Sequence, residues 1–312
     1  MSTLDLNGLI PAIVLPMSPG GEPDEQELRQ YVRWLTGQGP LALAVNVDTG
    51  EGPHLTHQEK LRVLEIVKEE TLLPCVVGLA GPSTRAAVQA ARDFASAGAD
   101  ALLVFPIPAY LSAPLDPEIP VRYHAAVAEA GLPLILFQLQ PALGGVNFEL
   151  KTLQRLIALD GVVAMKEASF DARRYVDTVR MVQGTEKYQD GGFTMLTGND
   201  NFILESFMLG CTGALIGQGA VMTREQVQMI DAWRAGDIAL ARELGSRVQR
   251  LADVIFAAPV ADYRVRLKEA LVMLGVLSSA HMRPPLLPLS DEQRELVRGT
   301  LAEVGLLEGA AA

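Results

Sequence analysis

Eight short runs of consecutive apolar residues recur along this chain, each followed by a longer stretch of helical period. They fall at residues 10–15, 42–47, 74–77, 101–105, 134–137, 162–165, 193–196 and 214–216. A strand wetted on one face alternates apolar and polar residues, whereas a strand covered on both faces reads as a continuous apolar run. Strands of the second kind belong to parallel sheets, whose crossovers are usually helices. The intervening segments carry helix starts. Asp24-Glu-Gln-Glu27, Thr56-His-Gln-Glu59 and Thr223-Arg-Glu-Gln226 have capping-box spacing, and Ser83, Ser169 and Asn199 or Asp200 suit N-caps. Eight β-then-α units within the first 235 residues predict an α/β fold of the (β/α)8, or TIM, barrel type. A doubly wound sheet is the alternative, but no GxGxxG follows the first run.

Beyond Arg234 the pattern is purely helical, with segments near 238–257, 262–274 and 290–301. The expected division is a barrel over 1–235 and a helical extension over 236–312 packed on it. The net charge of −11 argues against nucleic-acid and anionic-membrane partners, which require basic surfaces. No apolar stretch reaches the length of a membrane span. The N-terminal Met-Ser-Thr-Leu-Asp-Leu lacks the basic region and apolar core of a signal peptide, so a cytoplasmic location is expected. Cys75 and Cys211 lie far apart in apolar segments, and the four histidines show no metal-ligand spacing. Neither a metal nor an organic cofactor is expected.

The sixth run, Gly161-Val-Val-Ala-Met-Lys166, closes on a lysine. Only six of the 26 basic residues are lysines, and Lys166 alone follows a strand-like run. Burial disfavours the ammonium, and a neutral amine can attack a carbonyl to form a Schiff base. From the residues alone, a lysine that snorkels from a strand end to solvent explains the position as well.

Several motifs in order resemble the dihydrodipicolinate synthase and N-acetylneuraminate lyase family of Schiff-base aldolases. They are Asp48-Thr-Gly-Glu51 after the second run, Lys166-Glu-Ala-Ser169, Gly198-Asn-Asp200 and Arg283-Pro-Pro-Leu286, with Gly98-Ala-Asp100 and 141–147 in support. The resemblance spans about residues 8–307. It implies that Lys166 forms an imine with pyruvate or another 2-oxo acid, which then serves as electron sink while a carbon–carbon bond forms or breaks. It implies that the turn at Thr49 and Gly50 holds the 2-oxo acid carboxylate, and that the chain is a homo-oligomer, a dimer or tetramer.

Departures from the family carry the expectations about substrate. The family's fifth strand ends in a proton-shuttling tyrosine; here Phe137 stands in that place, with one residue inserted before Pro141. Asp48 replaces a threonine or serine of the same relay, so it is expected either to take over acid/base work or to pair with a nearby cation. Tyr110 lies near a second relay tyrosine, which in the family reaches a neighbouring subunit; packing in a proline-rich loop is the alternative. The stretch 141–147 has no basic residue where the synthases place an arginine for the aldehyde's carboxylate. The groups expected at the barrel mouth are Met17, Asn46, Phe105, Phe137, Gln138, Gln140 and Gln218, all neutral, with Phe137 and the three glutamines as substrate contacts. Amides replace a bidentate arginine poorly. A lyase taking a 2-oxo acid and an aldehyde other than aspartate semialdehyde is therefore expected. The alternatives are a synthase with unusual site residues and a non-catalytic relative that binds 2-oxo acids.

Overall fold

The computed structural model describes residues 4–111 and 114–307. All eight apolar runs contribute strands: β1 (Leu9–Pro11), β2 (Leu43–Val45), β3 (Cys75–Leu79), β4 (Ala101–Val104), β5 (Leu134–Leu139), β6 (Val162–Ala168), β7 (Thr194–Thr197) and β8 (Gly213–Ile216). They pair in parallel in the order β1-β8-β7-β6-β5-β4-β3-β2. A parallel bridge between Ala12 and Ala44 joins the two ends, so the sheet is a nearly closed barrel. Its interior is filled by Ile10, Ala44, Val76, Leu103, Ile135, Ala164, Leu196 and Leu215. Their neighbours, among them Val45, Val77, Leu102, Met165 and Met195, face the helix layer. This two-sided burial is why the strands read as continuous apolar runs.

The helices between strands are α1 (Glu25–Thr36), α2 (His57–Glu70), α3 (Thr84–Ser96), α4 (Glu118–Ala128), α5 (Leu150–Ile157), α6 (Ala172–Gln183), α7 (Glu186–Gln189) and α8 (Ile203–Met208). After β8 come α9 (Thr223–Arg234), α10 (Ile238–Ile255), α11 (Tyr263–Met273) and α12 (Asp291–Glu303). Thr56 and Glu59 form a complete capping box, and Asp24, Ser83 and Ser290 cap α1, α3 and α12. Three expected caps differ. Thr223 lies inside α9 and donates to the Gly219 carbonyl, and α6 is capped by Asp171 rather than Ser169. Asn199 and Asp200 do not cap α8, because their side chains are engaged by Glu167 and by the Gln218 amide.

Strands β5 and β6 run past their apolar cores. Leu139 pairs with Ala168, so Lys166 stands inside β6, two residues before its end, rather than closing it. The strand carries the buried Glu167 because Gln138, Asn199 and the Ser169 amide all donate to its carboxylate. Helix α11 is buried nearly all round, including Arg264, Arg266, Lys268 and Glu269, and packs against the turn Asp48–Gly50. Among the described residues no helix is long and apolar enough to cross a membrane. The first three residues of the N-terminal stretch and the last five of the extension lie outside the described residues.

Candidate active site

Alternation along β6 turns Ala164, Lys166 and Ala168 to the barrel interior and sends Met165 and Glu167 the other way. The Lys166 side chain passes Gly198, where a Cβ would stand 2.4 Å from its Cε. A side chain at that position would force Lys166 aside. Lys166 as a residue is 9 % exposed and lines a cavity with Val47, Asp48, Thr49, Phe137, Asp200 and Tyr263 among others. Its amine forms no hydrogen bond or ion pair among the described residues. Its Nζ lies 4.4 Å from the centroid of the Phe137 ring, which is held edge-on against Phe105. Burial lowers its pKa to about 8, against the opposing pull of Asp200 and Asp48. At pH 7 roughly a tenth of such an amine is neutral, against well under a thousandth of an ordinary lysine.

Asp200 sits in the same cavity at the end of the barrel beyond β7, fixed by the Gln218 N–H at 2.8 Å. Burial raises its carboxyl to about 7, with the Gln218 hydrogen bond and Lys166 acting the other way. An acid near 7 beside an amine near 8 can share one proton across neutral pH. That pairing suits proton traffic at a carbonyl.

After β2 the chain makes a tight turn at Asp48–Gly50, closed by Gly50 N–H donating to the Val47 carbonyl at 3.1 Å. A Cβ on Gly50 would meet the Ile13 carbonyl at 2.9 Å, so the turn can press against β1's exit only with glycine there. Glu51 then adopts a left-handed backbone, φ 56°, and its buried carboxylate is gripped by Lys268 at 2.6 Å and by the Arg283 N–H at 3.0 Å. Asp48 takes the pairing alternative. Arg264 holds both its oxygens at 2.6 Å, and the Tyr263 hydroxyl donates to Oδ2 at 2.7 Å. With both oxygens occupied, it is a neutralised anchor rather than a free acid or base.

The cavity wall is otherwise apolar: Phe137, Leu139, Leu143, Phe170 and Phe256. Tyr263, from the start of α11, stacks on Phe256 at 4.9 Å and faces Thr49 Oγ1 at 3.3 Å. Among the described residues no arginine lines this space.

Of the expected site residues, Lys166, Asp48, Thr49 and Phe137 meet here, and the rest do not. Gly50 shapes the turn, and its amide is spent on Val47. Gln138 falls between the inward Phe137 and Leu139, so it points to the helix layer and donates to Glu167 at 2.9 Å. Gln140 follows the strand end and stays outside the cavity lining. Gln218 supports Asp200 through its backbone rather than its side chain. Tyr110 packs against Tyr123, His124 and Phe148, away from Lys166. Of the remaining mouth residues, Phe105 backs Phe137, while Met17 and the left-handed Asn46 lie elsewhere.

Asp200, Tyr263, Phe170 and Phe256 were missed. Asp200 was legible, since it follows the inward Gly198. Tyr263 carries no local signal, because it reaches the cavity from a helix more than 200 residues from its partners in the turn.

Comparisons with known proteins bear on the family and the fold. A model of the dihydrodipicolinate synthetase family matches residues 5–304. A 4-hydroxy-tetrahydrodipicolinate synthase of Methanothrix thermoacetophila is 31 % identical over 97 % of this chain and 98 % of its own length. The dihydrodipicolinate synthase of Thermotoga maritima is 26 % identical with a TM-score of 0.86, over 97 % of this chain and 99 % of that one. A chloride-inhibited dihydrodipicolinate synthase from Acinetobacter baumannii, complexed with pyruvate, is 26 % identical with a TM-score of 0.83 over the same shares.

Proposed function

The chain belongs to the dihydrodipicolinate synthetase family, lyases and aldolases that act through a Schiff base, and on that premise we propose that Lys166 condenses with pyruvate or a related 2-oxo acid. The observation that carries this reading is a buried, unpaired amine whose pKa is lowered to about 8, facing a cavity. In this reading Thr49 holds the 2-oxo acid carboxylate at the turn. Asp200 takes the proton that frees the amine and returns it to the oxygen that leaves as water. The imine then stabilises the enamine through which an aldol bond is made or broken, or a hydroxyl lost. No metal or organic cofactor takes part, the location is cytoplasmic, and the chain assembles as a dimer or tetramer.

The second substrate in this proposal is uncharged or apolar. Lys166 is consumed by the imine, Asp48 is neutralised by Arg264, and Asp200 repels a carboxylate. The remaining wall of Leu139, Leu143, Phe170 and Phe256 favours an apolar aldehyde. The alternative is a 4-hydroxy-tetrahydrodipicolinate synthase, the name its relatives carry, acting on aspartate semialdehyde with unusual site residues, and the two readings separate experimentally. Pyruvate in D2O should exchange its methyl protons when the protein is present, as seen by NMR. In an aldehyde panel, apolar or neutral acceptors should exceed aspartate semialdehyde in kcat/KM. Absence of exchange would refute the imine, and semialdehyde as best acceptor would refute the substrate class.

A further inference from the structure

Imine formation needs a proton moved from nitrogen to oxygen, and Phe137 has no hydroxyl to move it. Two hydroxyls line the Lys166 cavity among the described residues, those of Thr49 and Tyr263, and Tyr263 is the one phenol. Its ring is 3 % exposed and clamped between Phe256, stacked at 4.9 Å, and the Arg264 guanidinium, 5.2 Å from the ring centroid. Its oxygen is aimed by two polar partners, Asp48 Oδ2 at 2.7 Å and Thr49 Oγ1 at 3.3 Å. Asp48 is itself fixed by Arg264, the next residue of α11, whose Nη2 contacts both carboxylate oxygens. A phenol held this firmly, beside the turn and opposite the amine, is a built feature.

We propose that Tyr263 is the proton shuttle of this site, supplied by the C-terminal helical extension in place of a strand-five tyrosine. The proposal rests on the reading of Lys166 as the imine-forming residue. Attack of the neutral amine on the ketone carbon pushes the carbonyl pair onto oxygen and leaves a positive nitrogen. Tyr263 oxygen accepts one proton from that nitrogen as its own O–H, swung from Asp48 Oδ2, passes its proton to the alkoxide, so the tyrosine ends unchanged. Asp200, holding the proton first taken from the Lys166 ammonium, then protonates the hydroxyl. The C–O bond breaks, the nitrogen lone pair forms C=N, and water leaves. Burial and the neighbouring Asp48 carboxylate raise the Tyr263 pKa well above its ordinary value. A standing tyrosinate is thereby disfavoured, and the two transfers occur together. Asp48 and Arg264 are positioning residues in this scheme, which explains why a carboxylate occupies position 48 without acting as the acid.

The test is Tyr263→Phe, which keeps the stack on Phe256. The maximal rate of borohydride trapping with pyruvate should fall about 100-fold, the lower range for a positioned acid/base group. The half-saturating pyruvate concentration should stay within about twofold, because the turn's backbone bonds, Gly50 N–H to Val47 and Glu51 N–H to Asp48, do not involve the phenol. In that background Phe137→Tyr should restore at least about tenfold of the lost rate. An unchanged maximal rate, or a change confined to pyruvate affinity, would overturn the proposal. Should Tyr263→Phe fail to fold, a fluorinated tyrosine incorporated at position 263 keeps the shape and acidifies the phenol. A maximal rate unmoved by that change would equally overturn it. If the wild-type protein is not trapped at all, the imine reading itself fails; if it is trapped and Tyr263→Phe matches it, only the shuttle fails.

Discussion

Two buried lysines lie near the turn at Asp48–Gly50, Lys166 lining the cavity beside it and Lys268 paired with the Glu51 that follows it, and they have opposite surroundings. Lys268, in α11, is wholly buried and saturated: it donates to Glu51 at 2.6 Å and to the His281 carbonyl at 2.7 Å. Lys166, in β6, is 9 % exposed and has no hydrogen-bonded partner among the described residues. Burial lowers the pKa of both amines. What separates them is the partner. An amine locked to a carboxylate has its lone pair occupied by a proton, whereas an amine with no such partner can release that proton into the cavity and attack. Lys268 still serves the site indirectly, because the Glu51 it holds is left-handed and follows directly on the turn that carries Thr49. A non-glycine residue in that conformation costs roughly 1–2 kcal/mol, and the ion pair offsets it.

The sharpest way to break this contrast is to exchange the two lysines' fates. Lys166→Met should abolish pyruvate exchange, a loss of about 10,000-fold or more for a nucleophile. Its urea midpoint should stay level or rise, since an unpaired buried amine is removed. Lys268→Met should do the reverse, destabilising the fold by about 3–5 kcal/mol because Glu51 is left buried and alone. Its trapping should persist wherever the protein remains folded. Should Lys268→Met leave stability intact, the clamp has been misread.

Smaller effects sharpen the description of Lys166. With Asp200 near 7 and Lys166 near 8, the rate of imine formation should be bell-shaped in pH. Below about 7 both groups are protonated and the amine cannot attack. Above about 8 the amine is free, but Asp200 has no proton for the departing oxygen. Asp200→Asn should lower the rate about 100-fold and abolish the alkaline limb; a limb that survives would remove Asp200 from the scheme. Gly198→Ala places a Cβ 2.4 Å from Lys166 Cε. The displaced amine should trap pyruvate some tens of times more slowly, measured in the same assay.

The barrel and the lysine were legible because each depends on local pattern. Eight short apolar runs, each followed by a helix-start signal, read as buried strands, and Lys166 interrupts one of them. The wall was half legible. Phe137 was placed in it, but Gln138 was grouped with it although successive strand residues face opposite ways; extension of β5 to Leu139 puts the amide against Glu167 instead. For Asp48 the sequence offered pairing with a cation as one of two readings, but not which cation. Its partner is Arg264, 216 residues away, and nothing near position 48 announces it. Tyr263 was hidden for the same reason. Sequence pattern reports which face a side chain takes, whereas the identity of what it meets there comes from chain closure over long distances.

The most direct test is reduction with borohydride in the presence of pyruvate, followed by peptide mass mapping of both buried lysines. A stoichiometric adduct on the peptide containing Lys166, with Lys268 unmodified, is the predicted result. An adduct absent from Lys166, or found on Lys268, would contradict the claim that the unpaired amine is the reactive one.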